Sequence, residues 1–376
     1  MSGAARAAGL AVALAALVED GGRVALAKPA AKAADPCASD PAATGPGTLD
    51  PFRPPAPKAL ELNAAGLVPY RQGKWEEARA QYRAALAADP EFLAPQLNIA
   101  SSFVRQERFA EATAEVVSLL SRAYVPWARE IREAADLGAL KTRPEMKEID
   151  RAMAASAARW GEGLDASVLF VARPRPPLHL PDGPGVFILN PRQEVWAYSP
   201  RTRRYRQLTA EDGHVIALAA AGNRVIYVTA DKLVRGAKAG EVALRDVTIH
   251  VLAPATMAAE ASAPVEGDVE TLSVVQHGAE LRFWIWGNRL RGYYGLDGSS
   301  GLVGRPVPRA TPPPLVVLTG RGVEAVRERP IGGRCGLVAR QEGEPAHPRL
   351  TVGITKRSAI TLATGDAGGL GGLPIP

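Results

Sequence analysis

An internal recurrence constrains this chain more than any other feature. Leu62, Ala65 and Gly66 fall at helical spacing, and Gly73-Lys74-Trp75 interrupts them. Ala78, Tyr82, Ala85 and Leu86 then form a second apolar stripe that closes at Asp89-Pro90. The unit returns 34 residues on, pairing Leu62 with Gln96, Ala65 with Ile99, Gly66 with Ala100, Trp75 with Phe109, Ala78 with Ala112 and Ala85 with Leu119. Apolar residues three and four apart line one face of a helix, and a Gly or Asp-Pro break ends it. The pattern therefore predicts stacked helical hairpins with small residues at the crossings. One such unit cannot bury its apolar face alone, so neighbours must stack.

A 34-residue helix–turn–helix with Gly, a following aromatic, Ala and a terminal Pro at these places resembles the tetratricopeptide repeat. The resemblance covers two repeat lengths and is more specific in the first. It implies a protein or peptide partner held in the groove lined by the first helix of each pair. On this chain that face carries Asn63, Leu67, Tyr70, Leu97, Ser101, Val104 and Arg105. The alternative is that these residues pack against the neighbouring domain. Some members of the family clamp a terminal carboxylate with a lysine and two asparagines. Asn98 matches one such place, Leu67 occupies another, and the lysine is missing, so that role is not implied here. Pro69 departs from the pattern inside the first helix, where proline costs about 3 kcal/mol, and predicts a bend. Ala134 to Met146 continues as a closing segment, and a capping helix from about Pro144 to Trp160 completes a module over 59–160.

The N-terminus addresses compartment. Ala7 to Val18 is an uncharged Ala/Leu/Val run after Arg6, too short to span a bilayer but suited to a signal peptide. Ala25-Leu26-Ala27 offers a small-x-small cleavage site, which would make 1–27 a leader and the mature protein periplasmic or envelope-associated. The alternative is a retained Ala-rich helix. Residues 28–58 are Pro- and Ala-rich with few large apolar groups, and read as a disordered linker. The two cysteines, Cys37 and Cys335, leave open either a disulfide in an oxidising compartment or two free thiols.

After Trp160 the period changes from helical to alternating. Strand, glycine turn and strand recur at 214–229, 270–286 and 315–326. Within the first unit, Pro181-Asp182-Gly183, Val186 to Leu189, Val195 to Tyr198 and Tyr205 to Thr209 resemble one blade of the TolB-like propellers. Four units follow, at 167–209, 214–265, 270–308 and 314–363. The fold class expected is multidomain α + β, an N-terminal helical-hairpin module followed by an all-β, propeller-like domain over 166–364, with a flexible tail at 365–376. A two-sheet sandwich or an irregular barrel is the competing architecture. Phe283 to Trp286 is bulky on both faces and reads as an inner strand.

No chemistry announces itself. The five histidines, His179, His214, His250, His277 and His347, have no second ligand at metal spacing. Gly298-Ser299-Ser300-Gly301 lacks the strand–turn–helix setting of a nucleophile elbow, and no phosphate-binding glycine motif occurs. The net charge of +6 is dispersed. Its densest run, Arg201, Arg203, Arg204 and Arg206, reads as a solvated hairpin, and no nucleic-acid signature accompanies it. The sequence thus implies no cofactor, no metal and no catalytic residue. It reads as a non-catalytic exported interaction or scaffold protein. The alternatives are a hydrolase or lyase with its site in the β-domain channel, and a cytosolic scaffold for an acidic polymer.

Overall fold

The computed structural model describes residues 45–51, 53–164, 167–172, 183–189, 193–199, 201–211, 214–221, 224–238, 241–277, 280–297 and 301–306. It also describes strand residues 318–319, 322–323, 329–330, 338–342, 349–353 and 360–364. The described part is mixed α + β, with helices first and antiparallel sheets after them.

Two helical hairpins open it: α1 (Pro57–Arg71) with α2 (Trp75–Ala88), and α3 (Ala94–Arg105) with α4 (Phe109–Arg122). The 34-residue recurrence is visible in the turn geometry. After α1, Gly73 sits at φ 75°, Gly73 N–H donates to Tyr70 O and Lys74 N–H donates to Pro69 O. After α3, Glu107 sits at φ 59°, Glu107 N–H donates to Val104 O and Arg108 N–H donates to Phe103 O. Both are the left-handed helix stop that satisfies the last carbonyls. Pro69 lies in the last turn of α1, and the helix runs through it to Arg71. Close to a terminus, proline removes one hydrogen bond rather than dividing the helix.

The small residue expected at the first crossing has its cause in a ring. A Cβ on Gly66 would stand 2.5 Å from Tyr82 Cε1. In the second repeat the matching residues are Ala100 and Val116, both fully buried. A larger residue on one helix is balanced by a smaller one on its neighbour. Asp89, buried at the end of α2, accepts hydrogen bonds from Arg53, from Ala56 N–H ahead of α1 and from Glu91 N–H. This ties the entry of the first hairpin to its exit. α5 (Tyr124–Glu133), a 3-10 turn at Ala135–Leu137, α6 (Gly138–Lys141) and α7 (Met146–Gly161) complete the helical region, with α7 packed on α4 and α5.

The strands form four antiparallel sheets. The first holds β1 (Val168–Ala172), β3 (Glu194–Ser199) and β4 (Arg204–Gln207), in that order. The second is a meander of β5 (His214–Ala221), β6 (Arg224–Ala230), β9 (Val247–Ala253) and β10 (Ala258–Val265). The third is built on β11 (Val269–His277), β12 (Glu280–Gly287), β13 (Arg291–Asp297) and β14 (Gly301–Pro306). β8 (Val242–Arg245), β7 (Lys232–Arg235) and β2 (Gly185–Ile188) extend it, and β15 (Leu318–Thr319) and β16 (Gly322–Val323) attach beside β11. The fourth runs through β17 (Arg329–Pro330), β18 (Val338–Glu342), β19 (Arg349–Gly353) and β20 (Ile360–Thr364). The first, second and fourth sheets each fall within one sequence unit, but the third draws strands from all four, so sheets and units do not correspond one to one. Each sheet is an open path, so no barrel closes among the described residues.

The internal grouping of the first unit differs from the blade read in sequence. β2 pairs with β7, Val186 opposite Val234 and Phe187 opposite Leu233, and not with β3. Alternation tells where a strand is but carries no record of its neighbour.

Two cores follow from the period of two. Along β6, Val225 and Tyr227 face one core while Ile226 and Val228 face another. The first core is continuous from the helices, through Trp160, Phe170 and Trp196, to Tyr227 and Leu252. The second lies between the second and third sheets, through Ile249, Phe283 and Ile285. β12 is an inner strand between β11 and β13, which is why Phe283, Trp284 and Ile285 are all buried.

Candidate functional site

The residues that sequence placed in a groove lie on α1 and α3. Asn63, Leu67 and Tyr70 of α1 and Leu97 of α3 are half-buried, and Asn98 Nδ2 donates to Asn63 Oδ1 at 2.9 Å across the two helices. Ser101 and Val104 differ: each is only 5% exposed, and Val104 belongs to the core. The 3-10 turn at Ala135–Leu137 packs on α3, and its Asp136 pairs with Arg105. The chain thus covers its own second-repeat face there, and Ser101 and Val104 are not a solvent-facing surface. The open part of the face is Asn63, Leu67 and Leu97, bordered by the half-exposed Arg105–Asp136 pair.

Tyr70 sits at the boundary. Its ring meets Trp75 edge-on at 5.1 Å, and its hydroxyl, beside Arg105 and Asp136, is buried without a partner in hydrogen-bonding geometry. Burial raises its pKa, against the opposing pull of the Arg105 cation. Tyr82, fully enclosed beneath Gly66, is pushed up to about 12, chiefly by burial. Neither phenol is a proton donor of useful acidity near neutral pH, and their rings serve packing.

A second side of α1 also lacks cover among the described residues. Leu60 is 46% exposed and Val68 56%, and Ala64 is exposed between them. These positions, four apart, form one stripe next to Leu67. α1 thus carries exposed apolar side chains beside the charged Lys58, Glu61 and Arg71, in addition to Ala59 and Gly66, which it buries. Of the residues the recurrence singled out on α1, Gly66 is buried, Leu62 is half-buried and Ala65 is exposed, and the Leu60–Ala64–Val68 stripe was left unread.

No family model matches the chain, and neither does any curated protein or solved structure.

The β region holds polar groups that the linear sequence did not bring together. Glu211 accepts a hydrogen bond from the Tyr227 hydroxyl, Thr209 Oγ1 donates to Glu194 Oε2 at 2.6 Å, and Glu211 N–H donates to the Glu194 carboxylate at 3.2 Å. His250 stacks on Tyr227 with ring centres 4.7 Å apart, and bridges Thr229 Oγ1 at 3.0 Å and Ser262 Oγ at 2.9 Å. Burial lowers the His250 pKa and raises that of Tyr227. These are hydrogen-bonded, low-reactivity states, in which each group is consumed by its neighbours.

The arginine run is the clearest correction. Arg201 and Arg203 are exposed on the β3–β4 hairpin as a solvated run should be, but Arg204 is half-buried and Arg206 is 5% exposed. Arg206 donates to the carbonyls of Trp160 and Glu162 and to Ser167 Oγ, and burial lowers its pKa to about 10. Adjacent Tyr205 and Arg206 are both buried along β4, so the run gave no alternating signal that one of its arginines turns inward. Arg79 is a second buried arginine, donating to Ser102 Oγ at 3.1 Å and lying over the Phe103 ring.

Cys37, Cys335, His179 and His347 lie outside the described residues, as do the proposed leader, most of the linker and the 365–376 tail. Among the described residues no group of three or more His, Cys, Asp or Glu converges as a metal site. None of the described helices is long and apolar enough to cross a membrane.

Proposed function

We propose that this chain is an exported, non-catalytic interaction protein that grips a protein or peptide partner through the helical region. On this reading the hairpins are tetratricopeptide-like and the four sheets are propeller-like blades that supply a rigid platform. The uncovered stripe Leu60–Ala64–Val68, running into half-buried Leu67 and Leu97, carries the proposal. An apolar centre with a polar border, here Asn63 and the Arg105–Asp136 pair, suits a helical segment laid along α1. Export rests on the Ala7–Val18 run and the Ala25-Leu26-Ala27 site in the sequence.

The test is crosslinked affinity capture of the tagged full-length chain from its native envelope fraction, with the intact mass of the bait read in parallel. Leu60→Glu with Val68→Glu alters only exposed side chains, so the melting temperature should stay within about 2 °C of the parent. Loss of a captured protein in that variant, on a bait lacking its first 27 residues, supports both halves of the reading. Capture that is empty, or unchanged in this variant and in Tyr70→Ala with Arg105→Glu, rejects the helical region as the binding element.

A further inference from the structure

A cavity of about 450 Å³ opens where the segment Gly45–Thr48 meets the C-terminal end of α4, α7 and β4. Arg122, Arg159 and Arg204 reach its wall, against the single carboxylate of Glu91. The arginines come from three elements far apart in sequence, so their convergence is a product of the fold and not of one basic run.

Arg122 and Arg159 are held by uncharged acceptors, and Arg204 is paired with Glu91. Arg122 donates to Gln96 Oε1 at 3.3 Å and to the Pro90 carbonyl, both uncharged acceptors. Arg204 donates to Gly47 O at 2.6 Å and stands 3.8 Å from Glu91. Arg159 donates to Ser156 Oγ at 3.4 Å and is solvent-exposed at the rim. Burial lowers the Arg122 pKa, the Arg204 cation lowers it further, and Glu91 offsets only part of this. The Thr48 hydroxyl, buried on the same wall, has no hydrogen-bond partner among the described residues.

The approach of the N-terminal segment is itself specified. Gly47 has φ 111°, and a Cβ there would lie 2.2 Å from Tyr205 O. Thr48 and Tyr205 exchange backbone hydrogen bonds at 2.9 and 2.8 Å, which fixes the segment against β4 and closes that side of the cavity.

We propose that this cavity is a binding site for a small phosphate monoester. Three guanidinium groups against one carboxylate leave an excess of two positive charges, which a dianionic phosphate matches. Planar guanidinium forks suit tetrahedral oxyanions, and such pairs strengthen where water is partly excluded. The volume falls within the range of small-molecule pockets and is large enough for a phosphorylated sugar. The site is separate from the α1 stripe and stands whether or not that stripe binds a partner.

Calorimetric titration of the full-length chain at constant ionic strength tests this, with ribose 5-phosphate, inorganic phosphate and unphosphorylated ribose as probes. Ribose 5-phosphate should bind saturably and raise the melting temperature, and ribose should do neither. Arg159→Gln, which alters only a rim side chain, should weaken the ester by about tenfold, as should Arg122→Gln, while Glu91→Gln should tighten it. The proposal is overturned by no saturable binding of either phosphate probe at millimolar concentration, or by an Arg159→Gln protein that is folded by circular dichroism and binds as the parent does. Equal affinity for inorganic phosphate and the ester would also overturn it, reducing the site to a general anion contact.

Discussion

His250 occupies a position in β9 where a charged imidazolium would have little solvation. Its nitrogens meet Ser262 and Thr229, its face meets the Tyr227 ring, and the Glu211 carboxylate beyond Tyr227 is the charged neighbour. Burial is the larger influence and holds the folded pKa below the ordinary 6.5, with Glu211 opposing. The sign follows from proton counting. The folded state keeps His250 neutral where the unfolded chain has begun to bind a proton, so its contribution is full above pH 6.5 and is lost as pH falls through the folded value. Urea midpoints measured from pH 7.5 to 5 should decline in the parent chain and decline less in His250→Gln. Parallel curves would show that His250 does not titrate differentially. Nothing in the spacing of the five histidines distinguished this one, because its partners come from adjacent strands. Gly66, in contrast, was readable from its place in the recurrence, and Tyr82 supplies the reason a Cβ is refused there.

The two helix stops set a natural experiment at the level of the element. Gly73 and Glu107 hold equivalent places 34 residues apart, both left-handed, yet only one is glycine. A Cβ on Gly73 would meet nothing closer than Trp75 at 3.9 Å, so the cost of a side chain there is conformational alone. Gly73→Ala should lower stability by about 1–2 kcal/mol, the ordinary penalty of the left-handed region for a residue with a Cβ. Glu107→Gly removes that penalty but frees the unfolded chain, for a net gain of about 0.5–1 kcal/mol. Denaturant midpoints would read both, and a neutral Gly73→Ala would mean the turn relaxes. The helical elements were legible because each repeat states its own boundaries. Strand positions were legible for the same local reason: β5 with β6 and β11 with β12 fall where the glycine turns placed them. The pairing of β2 with β7 was not, since it depends on contacts between segments that the intervening sequence does not encode. Nor was the closure of the α3 face, which needs Asp136 to return to Arg105 from 31 residues away.

Across the whole described molecule, the helices and the first two sheets share one core, and the joint between them is polar at its centre. Trp160 Nε1 donates to Gln207 O at 2.7 Å, while Arg206 collects the carbonyls at the end of α7 together with Ser167 Oγ. A Cβ on Gly161 would lie 1.7 Å from Pro254 O, just beyond β9, so the end of α7 and the second sheet are in backbone contact. Elements joined this way should unfold together: helical circular dichroism and near-ultraviolet aromatic signals should follow one transition in the parent chain. Arg206→Met keeps most of the volume but withdraws the donors, leaving buried carbonyls unsatisfied against a smaller gain from removing a charge held at a lowered pKa. The donors should win, with a net loss of about 2–4 kcal/mol. Because that loss falls on the joint, the helical and aromatic transitions should also separate. A variant that melts at the parent temperature with coincident signals would mean that the apolar part of the shared core, from Trp160 to Tyr227, couples the two regions without help from Arg206.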